Sequence, residues 1–358
     1  MKTILKKVCS KSWFSTVILG IVLVILSFLS LFVGVIDVTA AELFDGDAAA
    51  IELFLISRLP RLLAILCTGT GMSVAGLIMQ QLCMNKFVSP TTGATISAAK
   101  LGILIALVFM PKSTLWSRAL FSFTFALLGT WIFVWFIQRI RFKDTIMVPL
   151  IGIMFGNIIG GITSFIAYRY EMTQALSSWE TGHFSLVLRG RYEIVYLVVP
   201  LLILAFIFAN HFNIVGMGKD FSQNLGVNYK AVLFMGLTIA AAITAGVVVV
   251  VGSISYIGLI IPNMIAMFKG DKIRGTLVDT ALAGALFVLV CDVIARLVIA
   301  PYELPIALII GIIGSMLFIG ILFRRLKYGR KAIRLGAVTE APCAVAIEKG
   351  GSQGGDRA

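Results

Sequence analysis

Charge and histidine are what this chain has least of. Only 13% of its 358 residues are Asp, Glu, Lys or Arg, and 59% are hydrophobic. Soluble domains carry about 25% charged residues, so a soluble globule of this length is excluded. The two histidines, His183 and His211, lie far apart without ligand spacing, and each reads as a loop residue rather than a metal ligand. The five cysteines, Cys9, Cys67, Cys83, Cys291 and Cys343, form no CxxC pair, so neither a disulfide framework nor a zinc site is indicated. A P-loop is missing too. Near Gly218-Lys219, Asn213 stands where the leading glycine belongs, and Asp220 stands where Ser or Thr would hold magnesium. No catalytic constellation, metal site or cofactor signature remains, and no aspartate-rich cluster suggests a prenyl-transfer enzyme. The net charge of +13 would suit nucleic acid. In so apolar a chain, excess Lys and Arg is instead a topology signal.

What is present is apolar length, with a mean hydropathy of +1.01. A lipid span needs about 20 apolar residues, and it must be helical because lipid offers a free backbone N–H or C=O no partner. The blocks predict an all-α polytopic membrane protein with ten spans. They lie near 13–35, 60–82, 92–110, 117–138, 145–168, 192–210, 230–251, 255–268, 277–299 and 305–323. The first follows Lys2, Lys6, Lys7 and Lys11 and mimics a signal peptide, but it is too long for an h-region of about 7–15 residues. The eighth contains Pro262 and reads as a broken or partly re-entrant helix. Residues 1–12 form an N-terminal segment, 13–328 a single permease domain, and 329–358 a basic, then disordered tail.

With the N-terminus inside, inner segments hold 21 of the 30 Lys and Arg and six acids, while outer segments hold eight and nine. This places both termini in the cytoplasm. Three segments lie outside the spans. Residues 36–57 are external and acidic, 169–191 form a polar external loop, and 211–229 form an internal loop. Ten spans divide into two sets of five, a number compatible with inverted repeats, although the halves share no visible identity.

Short motifs narrow the class. Ser57-Arg58-Leu59-Pro60-Arg61 opens the second span, followed by Gly71, Gly76, Gln80, Asn85 and Pro90. Later come Leu225-Gly226-Val227, Gly258-Leu259-Ile260-Ile261-Pro262, Asp292-Val293-Ile294-Ala295-Arg296 and Glu303-Leu304-Pro305 with Gly311 and Gly314. In this order, from about residue 13 to 328, they resemble the FecCD family, permeases of iron–siderophore, haem and cobalamin ABC importers. Lys86, Asn263, Met316 and Lys100 depart from the family pattern. The Pro-Asn form and residues 98–102 look like its petrobactin or catecholate branch. The resemblance implies a type II importer permease in a bacterial cytoplasmic membrane. Its implied partners are a cytoplasmic ATPase dimer, an extracytoplasmic binding protein, a second permease chain and a ferric siderophore. Haem or cobalamin is the alternative cargo within the family. An ion-coupled secondary transporter is the rival class, and it would use Asp279 and Asp292.

The candidate residues have competing readings. The resemblance implies that Arg58, Arg61 and Arg296 dock acidic residues of the binding protein. Snorkelling or a local pair is the other reading, acute for Arg296 because Asp292 lies four residues before it. In the internal loop, Gly218, Phe221, Leu225, Gly226 and Val227 read as an apolar helix and stop. The family seats a coupling helix there on the ATPase; a helix packed on the chain's own inner face is the alternative. Lys100, within the third span, either attracts an anionic catecholate or pairs with Asp279 or Asp292, or it snorkels. Gln80 and Asn263 complete the translocation candidates. Gly69, Gly71 and Gly76 read as close-packing positions.

Overall fold

The computed structural model describes residues 2–33, 48–92, 94–139, 147–185, 187–190, 192–270, 273–299, 302–321 and 323. Every regular element among them is helical. The chain opens with α1 (Lys2–Phe32). Then α2 (Ala48–Leu53), a π-helical turn (Phe54–Arg58) and α3 (Leu59–Leu82) run on without a break. After these come α4 (Thr95–Phe109), α5 (Leu115–Arg139), α6 (Met147–Arg169) and the short α7 (Thr173–Glu180). A 3₁₀ turn (Glu193–Leu197) leads into α8 (Val198–Ile207), α9 (Ala209–Val215) and α10 (Lys219–Asn224). The series closes with α11 (Tyr229–Val251), α12 (Ile257–Lys269), α13 (Ile273–Leu297) and α14 (Ile306–Ile321). One compact unit ends at Gly314 and a second begins at Ser315, where the described residues are the rest of α14 and Phe323.

Among the described residues six helices are long and apolar enough to cross a membrane, or seven if the pair Glu193–Ile207 and Ala209–Val215, bent by 60°, is counted as one span. The other three expected spans fall on α4, α12 and α14, apolar helices of 10–17 residues that are shorter than the rest, so the expected count of ten is not reached by helix length. Several expected boundaries move. The second span begins at Ala48, inside the expected loop 36–57, of which residues 36–47 lie outside the described residues. Pro60 does not break this helix: it lies just past the π turn, and the Ile56 carbonyl four residues earlier, which loses its helical partner, accepts from Arg189 N at 3.1 Å. The loop 169–191 contains α7, and the internal loop 211–229 contains most of α9 and all of α10. The tail 329–358 lies outside the described residues.

The centre of the first unit is α3 and α11. Over an apolar 18-residue stretch of each, 72% and 78% of residues are buried, against 11% in α1. α3 packs on α11, α12 and α13, α4 packs on α5 and α6, and α1 leans on α13. Lipid gives helices no hydrophobic reason to associate, so backbones must come close enough for dispersion to act. Glycine allows this. A Cβ on Gly76 would lie 2.0 Å from the Gly258 carbonyl oxygen, and one on Gly69 2.6 Å from Gly284 O. The close-packing reading of Gly69 and Gly76 is therefore what these crossings use, and Gly71 fits against Val198 and Ile243 in the same way.

Proline at position 262 leaves a mark on the same crossing. A proline has no N–H, so the carbonyl four residues earlier, that of Gly258, loses its helical partner. Gln80 on α3 replaces it, donating from Nε2 to Gly258 O at 3.1 Å. α12 thus stays one helix across Pro262 instead of breaking there.

Gly76→Ala should cost about 1–3 kcal/mol or more through overpacking. Gly161→Ala, where nothing lies within 4 Å, should stay within about 0.5 kcal/mol. Thermal unfolding in detergent compares the two; equal melting points would contradict the close crossing. The exchange at Gly258 has its own test. Gln80→Leu should cost about 1–3 kcal/mol, and less in a Pro262→Ala background, where residue 262 regains its N–H. A double-mutant cycle with no coupling would refute the exchange.

Candidate functional site

Among the described residues, the ion pairs of the bundle lie toward its two ends. At one end, three arginines and two carboxylates interlock. Arg61 on α3 reaches α13, donating from Nε and Nη2 to Asp292 Oδ1 at 3.3 and 2.9 Å. Its Nη1 donates to both oxygens of Glu303 at 2.7 and 2.9 Å. Asp292 also pairs with Arg296, Nη2 to Oδ2 at 2.5 Å, one turn along the same helix. Arg296 continues to α1, donating to Ser30 O at 3.1 Å and to Val33 O. Arg58, the last residue of the π turn, also donates to Val33 O. The last carbonyls of a helix have no helical partner, and cations are favoured there. Two arginines meet that need at the end of α1.

The expected docking arginines are therefore brought together, but facing inward. Arg58 and Arg296 are only 9% and 4% exposed, and the guanidinium of Arg61 is shared between two acids. The local pair foreseen for Arg296 with Asp292 is present. Glu303 lies between helices, and its carboxyl is under opposing influences. Burial pushes its pKa up, but the hydrogen bond and charge of Arg61 outweigh this and hold it below the ordinary glutamate value.

At the opposite end, a loop is built to hold one short helix outward. Gly218 adopts φ +108° and Gly226 φ +74°, conformations open to glycine and costly for residues with a Cβ. Between them the buried Ser222 donates from Oγ to Gly218 O at 2.6 Å and to Ile214 O at 3.0 Å. Val227 N closes back on Ser222 O at 3.0 Å, and Asn228 caps α11 by accepting from Ala231 N. Ser222 is the buried residue of α10; Lys219, Asp220, Gln223 and Asn224 are exposed, and so are the apolar Met217, Phe221 and Leu225, at 64%, 45% and 55%. The mount is stiff. Gly216 packs on Gln81, and Ile273 N donates to Asn213 Oδ1 at 2.9 Å, which ties α9 to the start of α13.

The three translocation candidates do not converge. Gln80 and Asn263 are 8% and 3% exposed. Asn263 donates to Lys86 O and Leu259 O, both at 2.7 Å. Both amides thus tie α3, α12 and the segment between α3 and α4 to one another, although Gln80 also borders a cavity of about 280 Å³ with Asn85, Lys86 and Thr276. Lys100 is half-buried in the second turn of α4. Asp279 is taken by Lys269 at 2.6 Å and by Thr16 Oγ1 at 2.6 Å.

One face escaped the sequence reading. On α6, Asn157, Gly161, Ser164 and Tyr168 recur at helical spacing and are all exposed, Tyr168 at 79%. The opposite side of α6 is pressed on the rest of the chain, with Gly152 against Thr92 O and Gly156 beside Ser97. An asparagine within an apolar span was the available signal.

Helices this apolar, stitched by buried polar contacts at both ends, define a multi-pass membrane protein. The comparisons place it. Residues 22–324 match the FecCD transport family, and the chain belongs to that family. It is 47% identical over 310 residues to a petrobactin import system permease protein of Bacillus subtilis (strain 168), covering 87% of this chain and 98% of that one. It is 37% identical to a petrobactin import system permease protein of Bacillus anthracis, covering 89% and 94%. Its fold matches an inward-facing metal-chelate-type ABC transporter with a TM-score of 0.75 at 23% identity, covering 86% and 98%.

Because the Glu303 carboxyl is depressed in the folded state, its bond contributes fully above the unfolded value of about 4.3. That contribution is lost as pH falls through the lower folded value. The melting point of the wild type should therefore fall more steeply below pH about 4.3 than that of Glu303→Gln. Parallel curves would show that the pair adds no stability.

Proposed function

We propose that this chain is the membrane-spanning permease subunit of an ATP-binding-cassette importer that carries a ferric siderophore of the petrobactin or catecholate type across the bacterial cytoplasmic membrane. The observation that carries this reading is the end-to-end similarity to two petrobactin permeases. The charge distribution supports cytoplasmic termini. The six long helices, the bent pair and the three shorter apolar helices then make ten spans of a type II importer, a single permease domain over 13–328 with the tail beyond it.

The two ends acquire partners accordingly. The outward apolar tip of α10, with Phe221 and Leu225, suits a groove on a cytoplasmic ATPase subunit. ATP hydrolysis belongs to that subunit and not to this chain. Movement of the tip reaches the core through Gly216 on Gln81 and Asn213 on Ile273. The arginine end receives the substrate-binding protein. Since Arg61 is already shared between Asp292 and Glu303, docking there is an exchange in which a carboxylate of the binding protein replaces Glu303. A bidentate arginine–carboxylate pair is equally well made by either acid.

The exposed polar face of α6 suits a second permease chain or the water-filled path between two such chains. An asparagine facing lipid would lack the partners it needs. Asp279 and Asp292, which an ion-coupled transporter would have to titrate, are instead held in ion pairs.

Phe221→Asp with Leu225→Asp changes only exposed side chains, so the variant should extract and purify like the wild type. In proteoliposomes supplied with the ATPase and the binding protein, ATP-driven uptake of a ferric siderophore should fall at least tenfold and ATPase co-purification should be lost. Uptake on an ion gradient alone, without the ATPase, would overturn the assignment.

A further inference from the structure

Two apolar grooves run along α11, one on each side, and they share a lysine. The groove between α5 and α11 has a volume of about 200 Å³ and is walled by Trp131, Val134, Trp135 and Leu237. The groove between α8 and α11 has a volume of about 640 Å³ and is walled by Leu201, Leu204, Met235 and Ile239. Lys230 and Phe234, one turn apart on α11, border both, and neither lining contains an acid. Lys230 is exposed, and its ammonium has no hydrogen-bond or ion-pair partner among the described residues. Arg139, at the end of α5, lies over the Trp135 ring at 5.0 Å, so a second cation stands beside the smaller groove. The ring of Phe234, 4.3 Å from that of Trp131, forms the ridge between the grooves.

We propose that this is a binding site for an anionic phospholipid of the cytoplasmic leaflet. One acyl chain lies in each groove, astride Phe234, and the phosphate rests on Lys230 with Arg139 as the second cation. The occupant follows from the chemistry. Aliphatic and aromatic walls several residues long have no use for a free inorganic anion, but they match two hydrocarbon chains. A zwitterionic lipid brings its own ammonium to its phosphate, whereas an anionic one leaves a net charge for Lys230 to neutralise. The level is also right, because the positive-inside distribution assigns the Arg139 and Lys230 end to the cytoplasm, where anionic headgroups draw basic residues. The site adjoins the coupling loop, since Lys230 follows the Asn228 cap by two residues. A lipid phosphate there would brace the first turn of α11, against which α10 is folded. The inference needs only a membrane-spanning chain and is independent of the cargo.

The two groove tryptophans supply the readout. In the full chain, Trp13, Trp116 and Trp179 are replaced by Phe, which leaves Trp131 and Trp135 as reporters. The protein is placed in phosphatidylcholine bilayers, and quenching is titrated with phosphatidylglycerol or phosphatidylcholine carrying brominated acyl chains. Phosphatidylglycerol should half-saturate at an about fivefold lower mole fraction, as expected for roughly one effective basic contact. Lys230→Gln should reduce that preference to less than twofold, and Lys230→Arg should keep it. As a second measurement, the unaltered chain extracted in mild detergent should retain phosphatidylglycerol above its bulk membrane ratio, and Lys230→Gln should not. Equal quenching by the two lipids, or a preference and retention unchanged in Lys230→Gln, would overturn the proposal.

Discussion

In hydrocarbon a polar group has no water to fall back on, so each one must find its partner inside the protein or at an edge. That constraint arranges this molecule. The Gly258 carbonyl, orphaned by Pro262, takes Gln80. The last carbonyls of α1 take Arg58 and Arg296. Asp292 takes two arginines, and Asp279 takes a lysine and a threonine. Gln80 to Gly258, Arg61 to Asp292, Thr16 to Asp279 and Arg296 to Val33 each join segments distant in sequence, so satisfying the polar groups and assembling the bundle are one process. Glycines complete it by letting α3 approach α12 and α13 closely enough for dispersion to hold them.

α1 illustrates the balance. Only 11% of its span is buried, the rest being half-buried or exposed, and apolar packing alone would hold it weakly. Buried polar contacts secure it to α13 near both ends of that span, through Thr16 to Asp279 and through Ser30 and Val33 to Arg296. In water such ties would be worth little. In a dry interior, removing one partner strands the other, which is costly.

The two ends divide the work by the same logic. Where partners can be found internally, the side chains turn inward, as the arginine cluster does. Where a helix is anchored through a single buried residue, as α10 is through Ser222, the exposed apolar side chains on it and beside it are left to another molecule. The exposed polar stripe of α6 and the unpartnered Lys230 are the complementary cases, in which a second chain and a lipid are proposed to provide what this chain does not.

Much of this could be read from the residues in order. Long apolar blocks dictate helices because no other backbone arrangement survives in lipid, and the motif register from Arg58 to Gly314 carried the family. The Asp292 and Arg296 pair was visible because four residues make one helical turn. Other features were not visible. That Pro262 would be answered by Gln80, 182 positions earlier in a different helix, depends on Gly76 and Gly258 touching. That Arg61 would reach Asp292 and Glu303 rather than solvent depends on how α3 lies against α13. That Asn157 would face outward while Gln80 and Asn263 would not depends on which side of each helix its neighbours cover. Spacing along one helix is local and fixed by 3.6 residues per turn. Which faces are shared between helices is decided only when the whole bundle closes, because a polar atom chooses its partner among groups that the sequence keeps far apart.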